Sequence, residues 1–232
     1  MRVGIMAGGL MAAAALFAGT GANAQVTPQG NGYLFRQKFT PGEKINYAVN
    51  VSATVPNMPG AAGGGAYKMQ MNVRMNVLSV QNGTANVKVV SDGMTMNGKT
   101  AQKGQSAMLK IDSRGQTTGG GGVSPIFPQG PVKVGDTFTS ESGGVTGMGG
   151  VSSKTTFRFA GLKTYQGVKV AQLTLLSNMT GGTSGIKGGT SGFMLIALSD
   201  GQVVSGRTDS SMNLGQSGKG MNIISHMKID RK

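Results

Sequence analysis

Ile45-Asn46-Tyr47-Ala48-Val49-Asn50-Val51-Ser52-Ala53-Thr54-Val55 carries an apolar side chain at every odd position, with Asn46, Asn50, Ser52 and Thr54 between them. The next run does the same: Tyr67, Met69, Met71, Val73, Met75 and Val77 alternate with Lys68, Gln70, Asn72, Arg74 and Asn76. A period of two describes strands with one buried and one wet face. Further runs of this kind are Ala85 to Val90, Ala107 to Ile111, Thr155 to Leu162, Val168 to Leu176, Gly192 to Leu198, Val203 to Leu214 and Met221 to Ile229. Within Val168 to Leu176 the apolar parity changes, which predicts a bulge near Ala171. Phe193 to Leu198 is apolar throughout, as in a strand covered on both sides. At roughly 3.3 Å per residue, Ile45 to Val55 would extend about 36 Å, long for a strand. Long one-sided strands must curl to cover their apolar face, so the sequence predicts an all-β fold of long antiparallel strands forming a curved sheet, a half-barrel or a two-sheet clamshell. No segment has a helical period, and glycine interrupts most candidates.

The punctuation of these runs recurs. Gly83 returns as Gly167 and Lys103-Gly104 as Lys187-Gly188, both 84 positions on, and Ser113-Arg114-Gly115-Gln116 returns as Ser199-Asp200-Gly201-Gln202, 86 positions on. This predicts an internal duplication of a set of strands. An even offset keeps matched strands on the same face, so Val73 answers to Phe157 and Met75 to Phe159 in one shared interior. The expected organisation is a signal peptide at 1–24, then a single β-rich domain at 25–232 whose halves, about 36–118 and 131–232, are joined by a Gly/Pro-rich linker. The 41 glycines concentrate at Pro59 to Gly65, Gly119 to Gly122, Gly143 to Gly150 and Gly181 to Gly192, which read as loops.

Met1-Arg2, the apolar stretch Val3 to Ala18 and the small residues Ala22-Asn23-Ala24 read as a cleaved secretory signal, with Gln25 as the mature start and a periplasmic or extracellular destination. No second long apolar run follows, so no transmembrane helix is expected after cleavage. Removing 1–24 takes away Arg2 and no acid, leaving 21 basic and 8 acidic residues, a formal charge of +13. That charge favours an amphipathic or anionic envelope component as partner, or serves only to keep a strand-rich protein soluble and to blunt its sheet edges. Nucleic acid is not, since aromatics are 5%, Trp is absent and the cations are dispersed.

Chemical motifs are few. Gly93-Met94-Thr95-Met96-Asn97-Gly98-Lys99-Thr100 matches the spelling of a phosphate-binding loop, but that chemistry needs a helix N-terminus after the loop. Ala101 to Ser106 has no helical period, so a hairpin is expected. His226, the only histidine, falls among Asn222, Lys228 and Asp230 on a polar strand face. Met69-x-Met71 and Met94-x-Met96 place soft thioethers, the kind that select Cu(I), on one strand face. Methionine's flexibility also lets it fill a core in place of leucine, and that is the reading adopted, with no metal or cofactor. The acids are mostly turn residues: Asp92-Gly93 and Asp200-Gly201 read as hairpins, and Glu43 and Asp136 follow Gly42 and Gly135. Without cysteine and with one histidine, no nucleophile-base-acid set is evident, and no enzyme is expected.

Phe39-Thr40-Pro41-Gly42-Glu43, Tyr67 to Val80, Lys110-Ile111-Asp112-Ser113-Arg114-Gly115 and Pro131-Val132-Lys133-Val134-Gly135-Asp136-Thr137-Phe138 together resemble a class of uncharacterised exported bacterial proteins with a "PvkvGDtw" junction. Phe138 stands where that pattern usually carries Trp. In topology the chain is more loosely similar to the curved-sheet lipoprotein-localisation carriers, which hold acyl chains in an open half-barrel under helical lids. The resemblance brings no catalytic residues to carry over; the expectation of a non-enzymatic protein that binds an apolar or amphipathic ligand follows from the two faces of the strands, one apolar and one basic. The expected ligand face is Tyr47, Val49, Met69, Met71, Val73, Met75, Phe157 and Phe159, with Lys44, Lys68, Arg74, Lys88, Lys110, Arg158 and Lys228 on the opposite parity and Lys99, Lys187 and Lys219 at a rim. A structural or surface-associated envelope role is the alternative. An outer-membrane β-barrel is a third reading, disfavoured by the missing aromatic girdles and the charged C-terminus.

Overall fold

The computed structural model describes residues 26–55, 65–118, 126–142, 151–181, 186–214 and 221–232. The expected signal peptide and Lys219 lie outside them. All regular structure among the described residues is strand: β1 (Thr27–Gln29), β2 (Gly32–Leu34), β3 (Lys44–Val55), β4 (Gly65–Gln81), β5 (Thr84–Met96), β6 (Lys99–Asp112), β7 (Thr117–Thr118), β8 (Thr137–Ser142), β9 (Val151–Tyr165), β10 (Val168–Gly181), β11 (Ile186–Ala197), β12 (Val203–Leu214) and β13 (Met221–Arg231). β1 and β2 form a small hairpin, and the rest make one antiparallel sheet in the order β7-β6-β5-β4-β3-β13-β12-β11-β10-β9-β8. Two meanders thus run side by side, joined where β13 pairs with β3. The sheet is not closed into a barrel.

Its curvature follows from what the segment before β3 touches. Gln37 N donates to Ser113 O at the end of β6 at 2.8 Å, while the Phe35 ring lies 5.1 Å from Phe159 on β9. β6 and β9 are eight strand spacings apart, about 38 Å in a flat sheet. Two residues of chain cannot span that, so the sheet is rolled around this segment. Phe35, Phe39, Phe127 and Phe159 are buried together there, and Lys38 N adds a bond to Asp200 O in the turn before β12 at 3.0 Å. One end of the trough is therefore plugged by residues 33–39 and by the crossover 126–136, whose Phe127 N donates to Arg114 O at 2.8 Å. The strand ends flanking residues 56–64, 143–150, 182–185 and 215–220 all lie at the opposite end.

Three local readings change. Asp92-Gly93 is not a hairpin: it sits inside β5, where the β4–β5 register shifts between Met71 and Val73 and Gly93 has φ +105°. The hairpin is Asn97-Gly98, both residues at positive φ, so strand and not helix follows the G-x-x-x-x-G-K-T stretch. The parity change in β10 coincides with a register shift at Gln172/Leu173, but the extra residue is Ala160 on β9, not Ala171. Finally, Gly181 to Gly192 is not all loop. From Ile186 onward it is β11, paired on both sides. A Cβ on Gly192 would stand 2.1 Å from Arg207 O, so this glycine permits close strand approach and does not mark a turn.

The acids placed at turns do lock turns. Glu43 and Asp136 make parallel sets of bonds: Gly42 N to Val77 O at 2.9 Å and Gly135 N to Phe159 O at 2.7 Å, with Thr40 N on the Glu43 carboxylate and Lys133 N on that of Asp136. On β11, Met194 and Ile196 join the main core, while Leu195 and Ala197 are buried on the other face with Val170. From the crowding at Gly192, Gly192→Ala is expected to destabilise by about 2 kcal/mol or more. Gly130→Ala, whose Cβ meets nothing within 4 Å, should stay within about 0.5 kcal/mol of the parent in chemical denaturation.

Candidate functional site

The inward face gathers all of the residues expected to form it. Tyr47, Val49, Met69, Met71, Val73, Met75, Phe157 and Phe159 belong to one buried cluster. They divide by depth. Tyr47, Met75, Phe157 and Phe159 lie toward the plugged end, where Met75 and Phe159 are 0% exposed and Phe157 stacks on Phe138 at 5.3 Å. Val73, paired across from Tyr47, then Val49 with Met71, and then Met69 lie progressively toward the other end, Met71 reaching 9% exposure. Beyond them on the same face, Tyr67, Met96, Met179, Met212 and Ile223 are half-buried. The alternation that builds the core therefore continues out of it into a partly accessible mouth.

The second meander supplies a wall that the apolar reading missed. Thr155 lies opposite Ser177, Ser177 opposite Thr190, Thr190 opposite Ser210 and Ser210 opposite Ser225. This row of hydroxyls crosses β9 to β13 on the inward face. Thr155 Oγ1 donates to Ser177 Oγ at 3.0 Å, Ser153 and Ser177 share a bond of 2.9 Å, and Thr190 and Ser210 another of 2.9 Å. Such cross-strand pairs satisfy hydroxyls without water. Below them Thr208 Oγ1 is buried with no hydrogen-bond partner. The signal was available in the sequence, since Ser153 and Thr155 share the parity of Phe157 and Phe159. The interior is thus thioether-rich on β4 and β5 and carries both hydroxyls and methionines on β9 to β13.

A charged cluster sits at the plugged end. Arg231 Nη1 donates to Asp200 Oδ2 at 2.7 Å, its Nη2 lies 4.0 Å from Glu43 Oε1, and Gln202 Nε2 donates to Glu43 Oε1 and to Lys38 O, each at 3.3 Å. The Arg231 guanidinium has its pKa raised: burial opposes the charge, but the hydrogen bond and attraction to Asp200 outweigh it. Burial pushes the Tyr47 hydroxyl pKa well above its usual range, with Arg231 opposing and Asp200 and Glu43 reinforcing the rise. Tyr47 Oη has no hydrogen-bond partner. The cluster ties the C-terminal strand to the start of β3 and the turn before β12, which is a structural task.

Lys44, Lys68, Arg74, Lys88, Lys110, Arg158 and Lys228 are exposed on the outward parity. Lys163 stands 5.7 Å over the outward Phe193 ring, and Arg207 is paired across from that residue. His226 is exposed, with Nδ1 2.5 Å from Asp209 Oδ1. No group of three His, Cys, Asp or Glu residues suited to a metal occurs among the described residues, and no helix there is long and apolar enough to cross a membrane. An open hollow of about 500 Å³ lies against Pro128, Val132 and Phe138, away from the mouth. No protein-family model matches the chain, and no curated protein matches it in sequence.

The unpartnered Tyr47 hydroxyl gives a test of the packing. Removing a buried donor that has no partner relieves a desolvation cost of about 1–3 kcal/mol. Tyr47→Phe is therefore expected to be neutral or stabilising. Arg231→Ala, which leaves Asp200 and Glu43 without their cation, should lose about 2 kcal/mol. Thermal unfolding of both variants measures the contrast.

Proposed function

We propose that this is an exported, non-enzymatic protein that binds an amphipathic, acyl-chain-like ligand in the open half of the trough. The observation that carries the proposal is the gradient along the inward face, from complete burial at Met75 and Phe159 to half-burial at Met96, Met179 and Ile223. A chain laid there meets methionines, whose flexible thioethers adapt to an irregular apolar partner. The hydroxyl row faces it with groups able to bond a polar segment, and the exposed Lys99, Lys103 and Lys187 can draw an anionic headgroup. Tyr47, Met75, Phe157 and Phe159 then act as the floor of the site.

The parallel turns at Glu43 and Asp136 and the two side-by-side meanders support a duplicated origin for the sheet. The looser resemblance in topology, read from the sequence, is to lipoprotein-localisation carriers with helical lids, and no helix occurs among the described residues. The alternative of a structural envelope role draws on β6, which pairs with β7 only at Lys110 and Ile111 and is mostly exposed along its length. The outer-membrane barrel gains no support, because an open sheet with charges on its outward face lacks the apolar band a spanning barrel needs.

Protein purified in its native state is expected to carry extractable lipid and, once stripped, to take up a fluorescent fatty acid. Ser225→Arg, at the mouth, should abolish uptake while Arg74→Ala on the outward face leaves it unchanged. Lipid-free protein with no uptake would leave the envelope role standing.

A further inference from the structure

The two Met-x-Met pairs, read from the sequence as core filling, meet in the fold. Met69 on β4 stands directly across from Met96 on β5, and Met71 across from Met94. Directly opposed residues on one face have Cβ atoms about 4.5–5.5 Å apart. Methionine's three rotatable bonds allow the sulfurs of such a square to converge.

The bulge decides this arrangement. Ala85, Val87 and Ser91 face inward on odd positions of β5; continued unbroken, that parity would turn Met94 and Met96 outward. The register shift at Asp92-Gly93 re-aims both of them inward, opposite Met71 and Met69. The shift is held in place: Gly93 N donates to Ser91 Oγ at 3.2 Å, and a Cβ on Gly93 would stand 2.7 Å from Gln102 O.

Two further observations bear on this patch. Met75 and Met194 are 0% and 1% exposed, whereas Met69, Met71 and Met94 retain 6%, 9% and 7%, values shared by Met227 and Val51 nearby, and Met96 is half-buried, so the patch borders the mouth. Gln102, paired across from Met94 on β6, holds an Oε1 that is buried with no hydrogen-bond partner. An orphan acceptor beside a set of thioethers is suited to a cation.

We propose that Met69, Met71, Met94 and Met96 form a binding site for a soft monovalent cation, Cu(I) or its redox-inert stand-in Ag(I). Thioethers select such ions over the harder divalent metals, and four neutral ligands hold a single positive charge without adding their own. Binding involves no electron transfer: the ion enters and leaves as the monovalent cation. The proposal is independent of the lipid reading, which needs these residues only as apolar surface.

Anaerobic titration of the mature chain with Cu(I) against a competing chromogenic chelator, and with Ag(I) by calorimetry, should give one equivalent bound more tightly than by free methionine. The double substitution Met71→Leu/Met94→Leu should weaken it at least tenfold, while Met75→Leu and Met194→Leu leave it unchanged. Leucine conserves apolar volume, so the double variant should still fold, and because the titration is read on lipid-stripped protein its outcome is separable from that of fatty-acid uptake. Should the double variant not fold, Ag(I) added to wild type with labelled methionine methyl groups should shift the resonances of Met69, Met71, Met94 and Met96 and not that of Met75. Binding no tighter than to free methionine, binding unchanged in the folded double variant, or methyl shifts located elsewhere would overturn the proposal.

Discussion

The ladder between β13 and β3 is the contact on which the rest of the molecule depends. It pairs Ile224 through Arg231 with Thr54 through Tyr47, the last strand of the chain with the first strand of the large sheet. Without it each meander would end in a long strand with an apolar face and an unpaired edge, a template for aggregation. With it, Met227 faces the interior beside Val51 and Ile229 beside Val49, so both meanders share one core. Arg231 fastens the seam at the plugged end through Asp200 and Glu43. Pairing at such sequence separation carries the entropic cost of closing a large loop.

Once the meanders are one sheet, its width forces a choice. A strongly twisted sheet of this size either closes, splits or wraps around something. Here it wraps around residues 33–39, whose backbone and rings touch both meanders, and it stays open elsewhere. That asymmetry gives the interior two characters. The plugged end is aromatic and closed; the other end carries methionines on both meanders, with a row of hydroxyls across β9 to β13, and remains within reach of solvent. A binding function fits this division because the closed end supplies rigidity and the open end supplies adaptable contacts.

Much of the fold was legible because a period of two is imposed directly by strand geometry: Ile45 to Val55 and Tyr67 to Val77 had no other way to bury their apolar residues. Equal parity likewise placed Val73, Met75, Phe157 and Phe159 in one interior. What remained hidden depended on partners. Gly192 spells a loop until Arg207 O is found where its Cβ would be. Asp92-Gly93 spells a hairpin and is a bulge, because the turn a few residues on, Asn97-Gly98, takes that role. Phe35 and Phe39 have no alternation to announce them, since they plug the sheet and do not belong to it. The hydroxyl wall does not show in an apolar pattern because Ser153, Thr155 and Ser177 are polar, although their parity faces the core and they bond one another there.

The central claim is that the inward face is closed at one end and open at the other, and thiol accessibility tests it most directly, since the chain has no native cysteine. Single Ser225→Cys and Met96→Cys variants should react with a bulky maleimide under native conditions, while Met75→Cys and Phe159→Cys should react only on unfolding. Protection of Ser225→Cys and Met96→Cys equal to that of the plugged-end pair would mean that the interior is closed throughout, and would contradict the account.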